Sequence, residues 1–167
     1  MAMNRRTLLT MVVLAAVVAG YLYWASDERQ IRRLLDNLAD AVSQDEGQSG
    51  VGGFAEIASL TNYLAPDVAI DATPPATATI AGASEVVSTV GRLRTLFPVL
   101  QLSIADAEVS VAVDDAATVH ATATLTMRNR EGEEAVETRT VVISLLKGEG
   151  RWVIGAVKAV RGPEPAA

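Results

Sequence analysis

Residues 119–157 read VHATATLTMRNREGEEAVETRTVVISLLKGEGRWVIGAV, and this stretch decides the fold. Val119, Ala121, Ala123, Leu125 and Met127 alternate with His120, Thr122, Thr124, Thr126 and Arg128. A period of two is the signature of a strand buried on one face. Asn129–Glu133 and Lys147-Gly148-Glu149-Gly150 carry turn chemistry, so residues 135–146 and 151–160 are the next two strands of a hairpin-linked series. The VVISLL run in the first of these predicts burial on both faces. Upstream, Leu100, Leu102 and Ile104, then Val109, Val111 and Val113, extend the alternation back to Pro98, with Asp114-Asp115 as the intervening turn.

Before Pro98 the apolar period becomes helical. Ile31, Leu34, Leu35, Leu38 and Val42 form one stripe, which predicts a helix over residues 26–44 with Ser26 as its cap and Asp27 and Glu28 favouring its N-terminal dipole. Arg32 and Asp36 are spaced for an i, i+4 pair. Phe54, Ile57, Leu60 and Leu64 predict a second helix, stopped at Ala65-Pro66. Val86, Val87, Val90, Leu93 and Phe97 predict a third, from about Ser84 to Leu96, capped by Ser84 and ended by Pro98. A short strand, DVAID, covers 67–71. Pro74 and Pro75 bar residues 73–79 from a central strand. GQSGVGG at 47–53 reads as a loop; it lacks the preceding strand and the Gly-Lys-Ser/Thr ending of a phosphate loop. Helices followed by hairpins indicate an α+β domain, with three N-terminal helices packed on a curved antiparallel sheet.

One further segment precedes that domain. Residues 8–24 carry no charge, about 25 Å of helix at 1.5 Å per residue, the lower limit for crossing a bilayer core. Arg5 and Arg6 flank it on one side and Asp27 and Glu28 on the other, which keeps the N-terminus cytoplasmic and exports the rest. Tyr21, Tyr23 and Trp24 suit the far headgroup layer. The competing reading is a cleaved signal peptide, with Val18-Ala19-Gly20 as the small-residue site and a loose twin-arginine likeness at Arg5-Arg6. The expected organisation is a signal anchor over 1–25, a domain over 26–161 and a disordered tail over 162–167. No Gly or Pro lies between Tyr21 and Glu46, so the membrane helix and the first domain helix are expected to run on without a linker.

Composition excludes several functions. The chain has no Cys and one His, which removes disulfides, thiolate nucleophiles and multi-histidine metal sites. Without Arg5 and Arg6 the exported part holds 12 basic against 20 acidic residues, a net −8, unsuited to nucleic acid or anionic lipid surfaces. It retains four aromatics, Phe54, Tyr63, Phe97 and Trp152. Asp114-Asp115 and Glu133-Glu134 lie in turns without calcium-loop spacing, so no metal and no cofactor is expected.

Four segments in order, DERQIRRLLDNLADAV (27–42), YLAPDVAID (63–71), Ile80-Ala81-Gly82 and GEGRWVIGAV (148–157), resemble the nuclear transport factor 2-like superfamily, also called SnoaL-like or cystatin-like. The resemblance covers residues 27–160. It implies a cone-shaped cavity between helices and sheet, and dimers that pair across the sheet. Members similar to ketosteroid isomerase use a carboxylate base after the first strand, with a tyrosine and a protonated carboxylic acid as oxyanion hole. That assigns Asp71 as general base and Tyr63 as donor in an enzyme reading, an isomerase or cyclase. The tyrosine expected on the first helix is missing, and Asp71 equally suits a strand-end turn. His120 alternates with apolar neighbours and is expected on the outer sheet face. Ala121 and Ala123 leave room for a small apolar ligand or for close helix packing, and Trp152 is expected in the core. The leading expectation is a non-enzymatic, membrane-anchored extracytoplasmic module that binds a small apolar ligand or an envelope protein, and that forms a homodimer through its threonine-rich sheet face.

Overall fold

A computed structural model of the chain describes residues 5–47, 51–72 and 78–161. The elements run α1 (Arg5–Val42), α2 (Val51–Ser59), a 3-10 turn (Leu60–Asn62), β1 (Leu64–Ala72), β2 (Ala78–Ala81), α3 (Ala83–Leu96), β3 (Val99–Val111), β4 (Ala116–Arg128), β5 (Glu134–Gly148) and β6 (Arg151–Arg161). Residues 73–77, the tail from 162 on, and the side chains of Tyr23 and Trp24 lie outside the described residues.

The architecture is α+β, three helices with one curved six-stranded sheet in the order β2-β1-β6-β5-β4-β3. The sheet is mixed where the sequence pattern suggested antiparallel, because β1 and β6 pair in parallel. Hairpin signals are local and fix only the pairing of neighbours in sequence. β1 reaches the sheet from the helices, and nothing in its own residues states its direction.

Two bulges shape the sheet. The apolar residues of β3 are even-numbered up to Ile104 and odd-numbered from Ala107, yet both sets pack toward the helices. The register with β4 shifts between Ala105 and Glu108, where Asp106 takes a φ of 53°. One extra residue restores the inward face after the parity change. A second shift lies in β1 between Leu64 and Ala69, which accommodates Pro66, a residue with no N–H for the ladder.

Other expectations need correction. VVISLL is buried on one face only: Val141, Ile143 and Leu145 are buried, while Ser144 and Leu146 are exposed. Among the described residues no element covers the outer face of β5, so the run has one core to serve. The second helix gives way at Leu60 to a 3-10 turn whose Leu60 side chain is fully buried, and Leu64 opens a strand against Ile154. Helix α2 begins at Val51, so Gly52 and Gly53 are helical and not part of a loop. Gly82, at a φ of 93°, is the N-cap of α3 in place of Ser84. Its N–H donates to Val68 O at 2.7 Å, and left-handed backbone at that position suits glycine.

Helix α1 is continuous through the junction of the apolar segment and the domain. Ser26 therefore lies inside a helix and caps nothing. Arg32 pairs with Glu28 at 2.8 Å and not with Asp36. Asp27 is 3% exposed and reaches the β5–β6 hairpin: its Oδ1 accepts from Lys147 Nζ at 2.8 Å and from Trp152 Nε1 at 3.2 Å, with Lys147 Nζ 5.5 Å from the indole centroid. Trp152 is buried, as expected from the sequence, and its indole N–H is satisfied by this carboxylate.

At its other end α1 terminates against α3. Arg94 is 6% exposed. Its guanidinium donates to Ala41 O at 2.7 Å, Ser43 O at 2.6 Å, Val42 O at 3.2 Å and Gly53 O at 3.3 Å, and to Glu56 Oε2 at 3.3 Å. Beside it Gln44 exchanges backbone bonds with Leu100 at 2.6 and 3.0 Å and donates from its amide to Arg94 O and Pro98 O.

Both buried ties make predictions. Removing one partner of a buried ion pair costs about 3–5 kcal/mol, whereas replacing both is far cheaper. Lys147→Met and Asp27→Leu should each destabilise by about that amount in urea unfolding followed by circular dichroism, and the double variant by less than their sum; strict additivity would show that the pair contributes nothing. Arg94→Met should cost about 3–5 kcal/mol. Arg94→Lys should recover only part of it, because an ammonium cannot span carbonyls arranged for a planar fork.

Candidate functional site

The concave face of the sheet is filled. Leu34, Leu35 and Ile31 of α1, with Val86 and Val90 of α3, pack onto Val119, Ile143 and Leu145 in one apolar cluster. Ala121 is buried in this cluster and Ala123 packs against it.

Open space lies elsewhere, in a cavity of about 700 Å³ beside α2 and α3. Helix α3 supplies Ser88, Gly91, Arg92 and Thr95, spaced i, i+3, i+4, i+7 on a single face. Its opposite face, Ala83, Val86 and Val90, is buried in the core. Helix α2 supplies Phe54 and Ile57, also one face. Gln44 and Pro98 close one side, and Arg130 of the β4–β5 turn stands at another. Phe54 is 77% exposed, an aromatic ring of the domain left outside the core. At Gly91 an added Cβ would meet nothing within 4 Å, so the missing side chain is part of the space. A shallower hollow continues past Thr95 and Arg130 to Leu96, Asn129 and Glu131.

The electrostatics of this groove differ from those of the whole chain. Among the described residues its lining includes Arg92, Arg94 and Arg130 and no Asp or Glu, on a protein with a formal charge of −6. The three arginines are not equivalent. Arg94 commits its N–H groups to the end of α1 and to Glu56. Arg92 is exposed and forms no ion pair among the described residues. Arg130 is exposed and reaches only Thr95 O, at 3.5 Å.

The residues singled out in sequence lie apart from the groove. Asp71 is exposed, between Ile70 and Ala72 and in register with Thr79 and Lys158. Ile70 packs on the core, so alternation directs Asp71 to the outer face. Tyr63 is half-buried against the core, its carbonyl accepting from Ile154 N at 2.8 Å. Neither lines the cavity. His120 is exposed between buried Val119 and Ala121, on the outer face as expected. Among the residues searched for clusters of His, Asp and Glu, no group able to hold a metal ion is found. Sequence reasoning did not single out Arg92, Arg94 or Arg130. The one available signal was Arg94 itself: it falls on the apolar side of α3, where a charged residue needs a buried partner.

No family model matches the chain, and no curated protein matches it either. Solved structures do. A nuclear transport factor 2-like protein with a cystatin-like fold from Novosphingobium aromaticivorans superposes with a TM-score of 0.67 at 13% identity, covering 90% of each chain. A protein of unknown function with a cystatin-like fold from Nostoc punctiforme gives 0.59 at 18% identity, over 84% of this chain and 94% of that one. One of unknown function from Mycobacterium tuberculosis gives 0.64 at 14%, over 86% and 76%. At these identities the likeness concerns the path of the backbone and leaves the chemistry open. With helices laid across a filled concave sheet and these structures superposing over most of its length, the chain has the nuclear transport factor 2-like, cystatin-like fold.

Proposed function

We propose that this chain is a membrane-anchored module whose domain stands outside the cytoplasm and works by binding a ligand or a partner protein at the α2–α3 groove. The observation that carries the reading is the filled cone. The interior where this fold would house an acid–base pair is occupied by Leu35, Val119, Ile143 and their neighbours, and Asp71 faces away from it. What remains is an open groove with an apolar floor and cationic rim, a binding surface without a visible proton-transfer pair.

The membrane part of the reading rests on α1. It is a helix long and apolar enough to cross a bilayer, and Met11 to Leu22 are exposed along it, including Val12, Leu14, Val17 and Tyr21. Such a surface needs lipid or protein around it. The buried Asp27 contact ties the helix to the β5–β6 hairpin immediately beyond that segment. From residue 24 to the end of α1 is about 27 Å of helix, so the groove, at the far end of α1, opens away from the bilayer.

The outer sheet face supports self-association. Rows running across the strands are almost free of charge, as in Ser103–Thr124–Thr138 and Ala105–Thr122–Thr140, with Thr124 and Thr138 hydroxyls 3.2 Å apart. Charge is confined to a few rows, among them Glu108, His120, Val142, Lys158 and Asp71, and Arg128 with Glu134 at the far end of the β4–β5 pair. A second copy can pair with such a surface without burying many ions.

Two measurements test this. The full chain should stay in the membrane fraction after an alkaline carbonate wash, and a C-terminal tag should be cleaved by protease added to intact spheroplasts; release of the domain into the medium, or protection of the tag, refutes the anchored arrangement. In detergent, light scattering should give a dimer that Thr122→Lys converts to monomer, because two lysines would face each other or neutral side chains. A wild-type monomer refutes pairing across the sheet.

A further inference from the structure

We propose that the α2–α3 groove takes an amphipathic organic anion: a single carboxylate carried on a flat apolar body of one or two rings. The proposal rests on the reading of this groove as the binding site and names its ligand class.

Charge is the first argument. Acidic residues outnumber basic ones by 20 to 14 in the chain, yet among the described residues the groove is lined by three arginines and no acid. Arg94 is spent on carbonyl groups. Glu56, the nearby carboxylate, is held by Arg94 at 3.3 Å, and neither Arg92 nor Arg130 has an ion-pair partner among the described residues. These two guanidinium groups, one from α3 and one from the β4–β5 turn, line the same space. A planar fork of N–H donors matches a carboxylate in geometry as well as charge.

Shape and polarity supply the second. Phe54, Ile57, Gly91 and Pro98 give the same space an apolar lining. Gly91 removes the side chain that would otherwise fill α3's contribution. A space of about 700 Å³ lies in the range that holds small organic ligands. An inorganic anion would leave Phe54 and Ile57 uncovered, and a neutral ring would leave two guanidinium groups partly desolvated without a partner. A ring-bearing carboxylate satisfies both surfaces together.

The test uses two probes that share a ring system and differ in charge, 2-naphthoate and 2-naphthamide, titrated calorimetrically into the full chain in maltoside micelles. The expected result is one naphthoate per chain, bound about tenfold more tightly than the amide, as one charge-assisted contact implies. Arg92→Gln and Arg130→Gln should each weaken naphthoate about fivefold or more, leave the amide unchanged, and leave thermal unfolding unchanged because both side chains are exposed. Gly91→Trp should abolish both probes, with Gly91→Ala as the folded control. Equal affinity for the two probes, with Gly91→Trp removing both, overturns the anion assignment and leaves the groove standing as a binding site. Binding of naphthoate that ignores Gly91→Trp and both arginine variants overturns the assignment and the groove together. No saturable binding of either probe overturns the assignment.

Discussion

An α-helix that ends inside a protein leaves its last carbonyls without partners, and the way α1 solves this organises the domain. Arg94, projected from α3, gathers Ala41 O, Val42 O and Ser43 O around one guanidinium, a cation at the negative end of the helix dipole. The same group reaches Gly53 O and Glu56, so a single side chain joins the end of α1 to α2 and α3. Gln44 then links this junction to Leu100 at the start of β3. The sheet begins where the helices meet. Remove the cation and several buried carbonyls lose their donors together, which is why the contact outweighs any individual apolar pair.

The groove is a consequence of that arrangement. Holding α3 by Arg94 and burying Val86 and Val90 turns the helix so that Ser88, Gly91, Arg92 and Thr95 face outward toward α2. Arg92 and Arg94 are two residues apart on a helix, hence on different faces. One serves the fold, and its neighbour is left to solvent or to a ligand. The β4–β5 turn adds Arg130 to the same lining.

Near the middle of α1 the tie is Asp27. Its buried bonds to Lys147 and Trp152 join the helix to the β5–β6 hairpin just past the exposed apolar segment. Lys147 N also donates to Asp115 O at 2.8 Å, which brings the β3–β4 turn to the same end. The domain is thus held at two points of one helix, its middle and its C-terminus. Whatever holds residues 11–22 sets the position of the sheet without an intervening flexible link.

Much of this was readable from residues alone. The period of two after Pro98, the turns at 114–115, 129–133 and 147–150, and the three apolar helical stripes gave the α+β class and the outward face of His120, because binary pattern records which side meets the core. The even-to-odd switch within β3 reads in sequence as one continuing alternation, and only the register shift at Asp106 reveals the bulge. The uninterrupted stretch from Tyr21 to Glu46 implied one continuous helix for the same local reason. Local pattern does not record which distant groups meet. The parallel pairing of β1 with β6, the use of Asp27 by Trp152, the capture of an entire helix terminus by Arg94, and the placing of Arg92 and Arg130 along one groove all involve residues far apart in the chain. Each depends on how the elements are packed, and packing is decided by the sum of many contacts that no single segment contains.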